Sequence, residues 1–384
     1  MAVQETRTLR AWLRLLSSPL DRRVLAELCG AVGDPEELLG LSDAELAARF
    51  NIAPKQLAQL RTEKRAASID AQLAAMDRFA IQLIPVADPE YPRPLFQLSI
   101  RPPALFVRGQ LEVFDALSIG IVGPRDATPY GIQMTERLCR EFAPVLTIVS
   151  GAAMGVDSRA HATALDAGGR TIGVLGCGID VDYPALNRPL RERIAAGAQG
   201  ALVSTFAPGT PPLRGHFPMR NVILAGLSLA VVVVEAGARS GALTTARAAS
   251  EEGRQVYAVP GDVTRANSAG SNSLLRDGAS VCTCAADVLG DLEGMLHGSL
   301  RTLLDQRQGR GQGVAAAASS PAAPAPGLER DLLRRIQHHP ISHDQLVAAL
   351  VPETASIGEL ANAVLMLEMK GLIRQDPGRI YAPI

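Results

Sequence analysis

The sequence predicts an α/β protein: a Rossmann-like, doubly wound and mostly parallel sheet, with an N-terminal helical domain and a C-terminal winged-helix domain. Three observations predict it. Between residues 116 and 290, short apolar runs alternate with amphipathic segments, the pattern of parallel strands joined by covering helices. Those runs end in turns of small residues (GPR, SGA, GCG, EAG and PGD), where open α/β sheets bind their ligands. The flanking segments, 1–80 and 327–384, lack this alternation and read as helices, the second with a closing hairpin.

Residues 1–80 carry short apolar stripes at helical spacing. Asp34-Pro35-Glu36 has an N-cap followed by proline in the first turn, and Ser42 with Glu45 has the capping-box spacing. Such a helical or helix-hairpin bundle can pack, bind protein or hold nucleic acid. Residues 81–115 are punctuated by Pro85, Pro89, Pro92, Pro94, Pro102 and Pro103 and read as an extension to the core with one or two strands. Within 116–290 the pattern places strands over 118–122, 145–149, 171–175, 201–204, 229–235, 256–259 and 280–282. Helices fall over 135–142, 157–167, 190–196, 221–227, 244–252 and 273–276. Residues 291–326 include the low-complexity run QGRGQGVAAAASSPAAPAPG and read as a flexible linker. In 327–384, three helical stripes precede a hairpin turning at Asp376-Pro377-Gly378. The third helix sets Glu359 and Glu368 against Lys370, so DNA reading and protein contact both stay open for it.

The 384 residues are 47% hydrophobic and 20% charged, enough for two or three domains with sizeable cores. No apolar run is long enough for a membrane span. The charged N-terminus MAVQETRTLRAWLRLL lacks a signal core, and the five cysteines are scattered and odd in number. A cytoplasmic protein with free thiols is expected. Cys282 and Cys284 have no further ligand pair near them, so no metal site is expected. Net charge is −1, so affinity for nucleic acid has to come from local clusters. Lysine occurs only at Lys55, Lys64 and Lys370; the remaining cations are arginines, which contact phosphate bidentately.

The strand-end turns suit phosphate. Small residues let backbone N–H groups approach a ligand, and hydroxyls and arginines in the same turns add donors. The candidates are Gly123 and Arg125 after the first core strand, Ser150, Gly151 and Ala152 after the second, then Arg220 and Asn221, Ser240 and Gly241, and Asn272. The first turn reads GPRDATPYG rather than GxGxxG, and no Walker pattern occurs. Nicotinamide dinucleotides and P-loop ATPase chemistry are therefore disfavoured, and no cofactor is expected.

The same turns resemble the DNA-processing protein A (DprA/Smf) family. The matching stretches are IVGPRDATPYG, VSGAAMGVDSRAH, TIGVLGCGIDVDYPALNRPL, the run 217–261 beginning FPMRN, and GSNSLLRDGA. The resemblance implies a non-catalytic protein that binds and protects single-stranded DNA, and duplex DNA more weakly. It also implies loading of a RecA-type recombinase during natural transformation, and dimerisation through the Rossmann-like domain. Arg125 would contact DNA phosphate, Ser150, Gly151 and Ala152 would offer backbone contacts, and Arg220 and Asn221 would lie in the FPMRN loop. Asn221 and Asp157 can alternatively cap helices. Four departures stand out. Pro124 replaces a small hydroxyl residue, Thr205 replaces an expected Glu, Val222 stands where a second Arg is common, and the core has no lysine. Arg188, Arg191 or Arg193 are substitutes for the lysines. Tyr130, Tyr183 and Phe217 are candidates for base stacking or for packing. The rival reading is a nucleoside-monophosphate phosphoribohydrolase-like enzyme, whose PGGxGTxxE loop corresponds here to EAGARSGALTTA, without the acid.

Overall fold

The computed structural model describes residues 3–296 apart from 19, 33, 51 and 62–65. Beyond 296 it describes residues 301, 303–304, 307, 328, 332, 335–336, 341–342, 345–346, 360, 363–364, 366–367, 373–376 and 380–383. The chain forms two compact units, Met1–Leu292 and Glu293–Ile384.

The first unit opens with helices α1 (Val3–Leu16), α2 (Arg22–Val32), α3 (Pro35–Gly40), α4 (Asp43–Phe50), α5 (Pro54–Arg61) and α6 (Ala66–Phe79). The local signals act as expected. Asp34 accepts the Glu36 N–H at 2.8 Å, and Ser42 and Glu45 exchange hydrogen bonds at 2.7 and 3.2 Å. Trp12, Leu28, Leu38 and Leu46 fill the centre of this bundle. Leu13, Ile69, Leu73 and Met76 instead join Phe106 and Leu202 of the sheet in one buried cluster. Each such fully buried side chain contributes ~1.5–3 kcal/mol, so the helical segment and the sheet cohere as one body.

The sheet is built from β1 (Gln82–Pro85), β2 (Ala104–Gly109), β3 (Ser118–Val122), β4 (Thr147–Ser150), β5 (Thr171–Leu175), β6 (Gly200–Ser204), β7 (Ala230–Val233), β8 (Gln255–Ala258) and β9 (Ser280–Val281). Their order is β1-β2-β6-β5-β4-β3-β7-β8-β9. β1 and β2 pair antiparallel with each other, and β2 pairs antiparallel with β6. From β6 to β9 every pairing is parallel. The core strands are apolar because they are covered on both faces, and every residue of β3 and β5 is buried. The joining helices are α7 (Pro129–Phe142), α8 (Val156–Asp166), α9 (Arg188–Ala196), α10 (His216–Leu227), α11 (Gly241–Glu251) and α12 (Ala269–Arg276), with α13 (Ala285–Met295) after β9. From β3 the chain steps outward to β6, then returns through α10 to β7 on the other side of β3. This reversal opens a crevice at the carboxyl ends of β3 and β7.

α10 begins five residues before the 221–227 read from the sequence, and Arg220 and Asn221 therefore lie in a helix, not in a loop. Pro218 lies in the first turn of α10, where no intrahelical N–H is required and proline is tolerated. α13 likewise continues past residue 290. Residues 308–327, the bulk of the expected linker, lie outside the described residues, as do Glu359, Glu368 and Lys370.

In the second unit, β10 (Ile341–Ser342), β11 (Ile373–Asp376) and β12 (Ile380–Pro383) form a three-stranded sheet in the order β10-β12-β11. Leu332, Ile336, Leu346, Leu360 and Leu367 form its core with Ile373 and Tyr381. β11 and β12 pair antiparallel, with Asp376 opposite Ile380, and Pro377 and Gly378, where the hairpin was expected to turn, lie outside the described residues.

Candidate nucleic-acid interface

The crevice holds a cavity of about 540 Å³ walled by Gly123, Pro124 and Arg125 after β3, by Arg239, Ser240 and Gly241 before α11, and by Arg220 and Asn221 of α10. A smaller side pocket adjoins it, lined by Gly151, Ala152 and Met154, by Tyr183 and Phe217, and again by Arg125 and Arg220.

Local chemistry fixes each wall. Thr128 caps α7, accepting the Gly131 N–H at 3.2 Å. Its own N–H and hydroxyl donate to Glu235 at 3.0 and 2.5 Å. Glu235, at the end of β7, is buried, so the loops after β3 and β7 are held together and its carboxylate is turned away from the ligand space. Ser240 caps α11 through the Ala242 N–H at 3.3 Å, which leaves Gly241 at the helix N-terminus facing the cavity. Pro124 removes a donor from the first turn, but its carbonyl accepts the Val156 N–H at 3.3 Å and so ties that turn to the start of α8. The approach depends on Gly155, whose φ is +76° and where a Cβ would strike the carbonyls of Pro124 and Arg125.

The arginines divide into two kinds. Arg125 is exposed; its guanidinium lies 5.6 Å from the centre of the Phe217 ring and 3.5 Å from the Tyr183 hydroxyl. Arg239 is exposed, as is Arg214 in the loop before α10. Among the described residues none of the three meets a carboxylate. Arg220 is the opposite case. It is 7% exposed, and its Nη1 donates to the carbonyls of Gly151 and of Val174, the latter at 2.7 Å, while Nε donates to Asn221 at 3.1 Å. It thus braces the ends of β4 and β5. Burial pushes its pKa down, an effect opposed by the charge of Asp157. Asn221 caps nothing: it lies inside α10 and donates to Thr244 of α11 at 2.9 Å.

Asp157 follows the true cap position, Gly155, and accepts the Ala153 N–H at 3.3 Å. Burial pushes its carboxyl pKa up, and Arg220 offsets part of that shift. One turn on, buried His161 faces Thr171 at 2.7 Å. Thr171 donates its own proton to the Ile148 carbonyl at 2.7 Å, so the histidine Nδ1 carries the hydrogen and Nε2 has no partner. Burial, with Arg220 adding to it, pushes this imidazole down to about 3.

Of the residues expected from the sequence, the fold gathers Gly123, Arg125, Arg220, Asn221, Ser240 and Gly241 around the cavity, with Gly151 and Ala152 at the adjoining pocket. Three stand elsewhere. Ser150 is fully buried and donates to the Ile121 carbonyl at 2.7 Å. Asn272 is occupied on both amide atoms by Gly261, at 2.9 and 3.1 Å. Arg188 lies outside both pockets and pairs with Asp182 at 3.5 Å. Neither suggested substitute cation helps: Arg191 is buried against the carbonyls of Val181 and Tyr183, and Arg193 pairs with Asp166. Of the aromatics, Tyr130 is tied to the Pro260 carbonyl at 2.9 Å. Tyr183 and Phe217 stand together, 5.8 Å between ring centres, beside Arg125. Two asparagines escaped the sequence reading. Asn187 donates to the carbonyls of Ala152 and Ala153 at 3.1 and 2.9 Å, holding the turn in which Ala152 takes a left-handed φ of +52°. Asn267 lines the cavity. The only signal for Asn187 was its place in the YPALN stretch; Asn267 had none.

This geometry has known counterparts. The family model described as DNA recombination-mediator protein A matches residues 82–293, and the DprA winged helix domain matches 316–379. The chain belongs to the DNA recombination-mediator protein A family. Protein Smf of Synechocystis is 36% identical over 321 residues, covering 78% of this chain and 79% of that one. The DNA processing protein DprA of Streptococcus pneumoniae is 40% identical over 208 residues, 54% of this chain and 73% of that one. Among solved structures, an X-ray structure of DprA from Streptococcus pneumoniae has a TM-score of 0.65 at 32% identity, covering 74% of this chain and 97% of that one. A structure of DNA processing protein A from Helicobacter pylori, reported for its single-stranded DNA binding mode, has a TM-score of 0.50 at 30% identity, covering 57% of this chain and 98% of that one. Membership of this family makes the chain a DNA-processing protein with a Rossmann-like core and a winged-helix domain. Among the described residues, no helix is long and apolar enough to cross a membrane, and no three His, Cys, Asp or Glu side chains group as a metal would require.

Proposed function

We propose that the cavity at the β3/β7 reversal holds backbone phosphates of single-stranded DNA. The observation that carries this is the charge balance of the cavity. Three arginines, Arg125, Arg220 and Arg239, line it against two carboxylates, Asp126, which is exposed, and Asp157, which is buried and accepts the Ala153 N–H, while Glu235 close by is engaged by Thr128; among the described residues Arg125 and Arg239 meet no carboxylate. The anion that completes such a site is a phosphate. Gly123, Arg125, Arg239 and Gly241 act as contacts, and Arg220, Asn221, Asn187 and Ser240 hold the walls that carry them. Tyr183 and Phe217 offer an unpaired base a stacking surface beside Arg125, which supports preference for a single strand over duplex. The single-stranded DNA binding of the Helicobacter pylori relative supports the same reading.

In this reading the protein performs no chemistry. It shields incoming single strands in the cytoplasm during natural transformation and loads a RecA-type recombinase onto them as a homodimer joined through the Rossmann-like domain. The family's description as a recombination mediator supports that role. Titration of labelled oligothymidylate into the wild type and Arg125→Ala tests the site. The variant should bind at least about tenfold more weakly, as loss of a charge-assisted contact predicts. Equal affinity removes Arg125 from the interface, and no binding by the wild type at low salt removes the function. Release of free base from a nucleoside monophosphate would favour the hydrolase reading instead.

A further inference from the structure

A second cavity, of about 470 Å³, lies on the opposite side of α10, between the N-terminal helices and the sheet. Its walls are apolar: Leu16 of α1, Leu25 of α2 and Leu20 between them, Pro102 and Pro103 just before β2, and Val222 and Ile223 from α10. Ile100 at its rim is 45% exposed. Its charges do not balance. Glu252, its carboxylate, receives both the N–H and the hydroxyl of Ser99, at 2.8 and 2.7 Å. The two guanidiniums, Arg22 and Arg101, have no carboxylate partner among the described residues. Arg22 lies 4.9 Å from the centre of the Phe206 ring and reaches only the Thr205 hydroxyl, at 3.5 Å. Arg101 donates Nε to the Phe96 carbonyl at 3.0 Å, and among the described residues its terminal nitrogens have no hydrogen-bond partner. Ser18, on the same wall, has a buried hydroxyl without a partner.

We infer that this cavity is a binding site for a small aliphatic carboxylate. The carboxylate is taken by Arg22 and Arg101, with the Ser18 hydroxyl as a further donor, and the alkyl chain lies on Leu20, Pro102, Val222 and Ile223. Cavities of this size between packed segments, apolar with a few placed polar groups, are the usual form of small-ligand sites. Paired guanidiniums supply orientation.

Calorimetric titration of the full chain with monomeric decanoate tests it, with decyltrimethylammonium as the chain of opposite charge. Decanoate should bind with one-to-one stoichiometry and the cation should not. Thr205→Glu supplies Arg22 with an internal carboxylate and should weaken decanoate at least about tenfold, the worth of one charge-assisted contact. Val222→Trp fills the apolar half of the cavity and should do the same. Both positions are only partly buried, and an unchanged melting transition verifies that each variant is folded; Arg101→Gln, at an exposed residue, gives the same reading if either is not. No decanoate binding by the wild type, equal binding of the ammonium compound, or unchanged affinity in the folded variants overturns the assignment.

Discussion

The two kinds of arginine at the cavity make different predictions for salt dependence. Each phosphate neutralised on a single strand adds about 0.7 to the slope of log affinity against log salt. Arg125 and Arg239 are the exposed, unpaired cations of the cavity wall. A short oligothymidylate confined to one cavity should therefore show a slope of about −1.4, and a fourfold rise in salt should weaken it about sevenfold. Arg125→Gln should halve the slope to about −0.7, so that the same rise costs only about 2.6-fold. Arg220→Met should behave otherwise. Its guanidinium is buried on the carbonyls of Gly151 and Val174, so its loss leaves those carbonyls unpaired and should lower folding stability by about 3 kcal/mol. Any loss of DNA affinity should come without a change of slope. Fluorescence anisotropy across a salt series, with urea unfolding in parallel, separates the cases. A slope that falls as far in Arg220→Met as in Arg125→Gln would refute the division into brace and contact.

Three further outcomes follow from the same region. Gly151→Ala places a Cβ on the Arg220 guanidinium and should reproduce the stability loss of Arg220→Met in urea melts, about 3 kcal/mol; a loss below about 1 kcal/mol would mean that the brace can shift freely. His161 has its pKa lowered from 6.5 to about 3 by burial, so the fold requires the neutral ring. Its contribution is complete above pH 6.5 and declines as pH falls toward 3, by about 1.4 kcal/mol per pH unit. His161→Asn should flatten that acid limb in pH-dependent unfolding, and an unaltered limb counts against the assignment. Asp157 has a raised pKa, so its charged form costs stability above that pKa and the cost disappears as the group protonates. Asp157→Asn should raise stability at neutral pH and strengthen oligonucleotide binding, and weaker binding would place the carboxylate in a supporting role instead.

The alternation of strand and helix was legible in the sequence because each core strand is covered on both faces and must be apolar throughout, as in β3 and β5. The caps at Asp34 and Ser42 were equally local, since each side chain bonds within its own turn. The site was legible only as a set of turns. Which side chains enter the cavity depends on partners far away in sequence, and no local pattern reports them. Asn272 looked available and is held by Gly261; Ser150 looked available and is held by Ile121. The start of α10 was not legible locally, since Pro218 fits a loop and a first helical turn equally well.

The chain's preference for arginine sharpens this point. With lysine nearly absent, one residue type serves two opposite purposes. Arg170, Arg191, Arg220 and Arg254 are turned inward onto backbone carbonyls and stitch strand ends and loops together. Arg125, Arg214 and Arg239 stay exposed and, among the described residues, meet no carboxylate. A guanidinium can do the first because its several donors reach more than one carbonyl at once, and the second because it is always charged. Burial separates the two sets. It also explains why the cavity keeps a positive field in a chain whose net charge is −1: the arginines that matter to a strand of DNA are the few that the fold leaves unpaired.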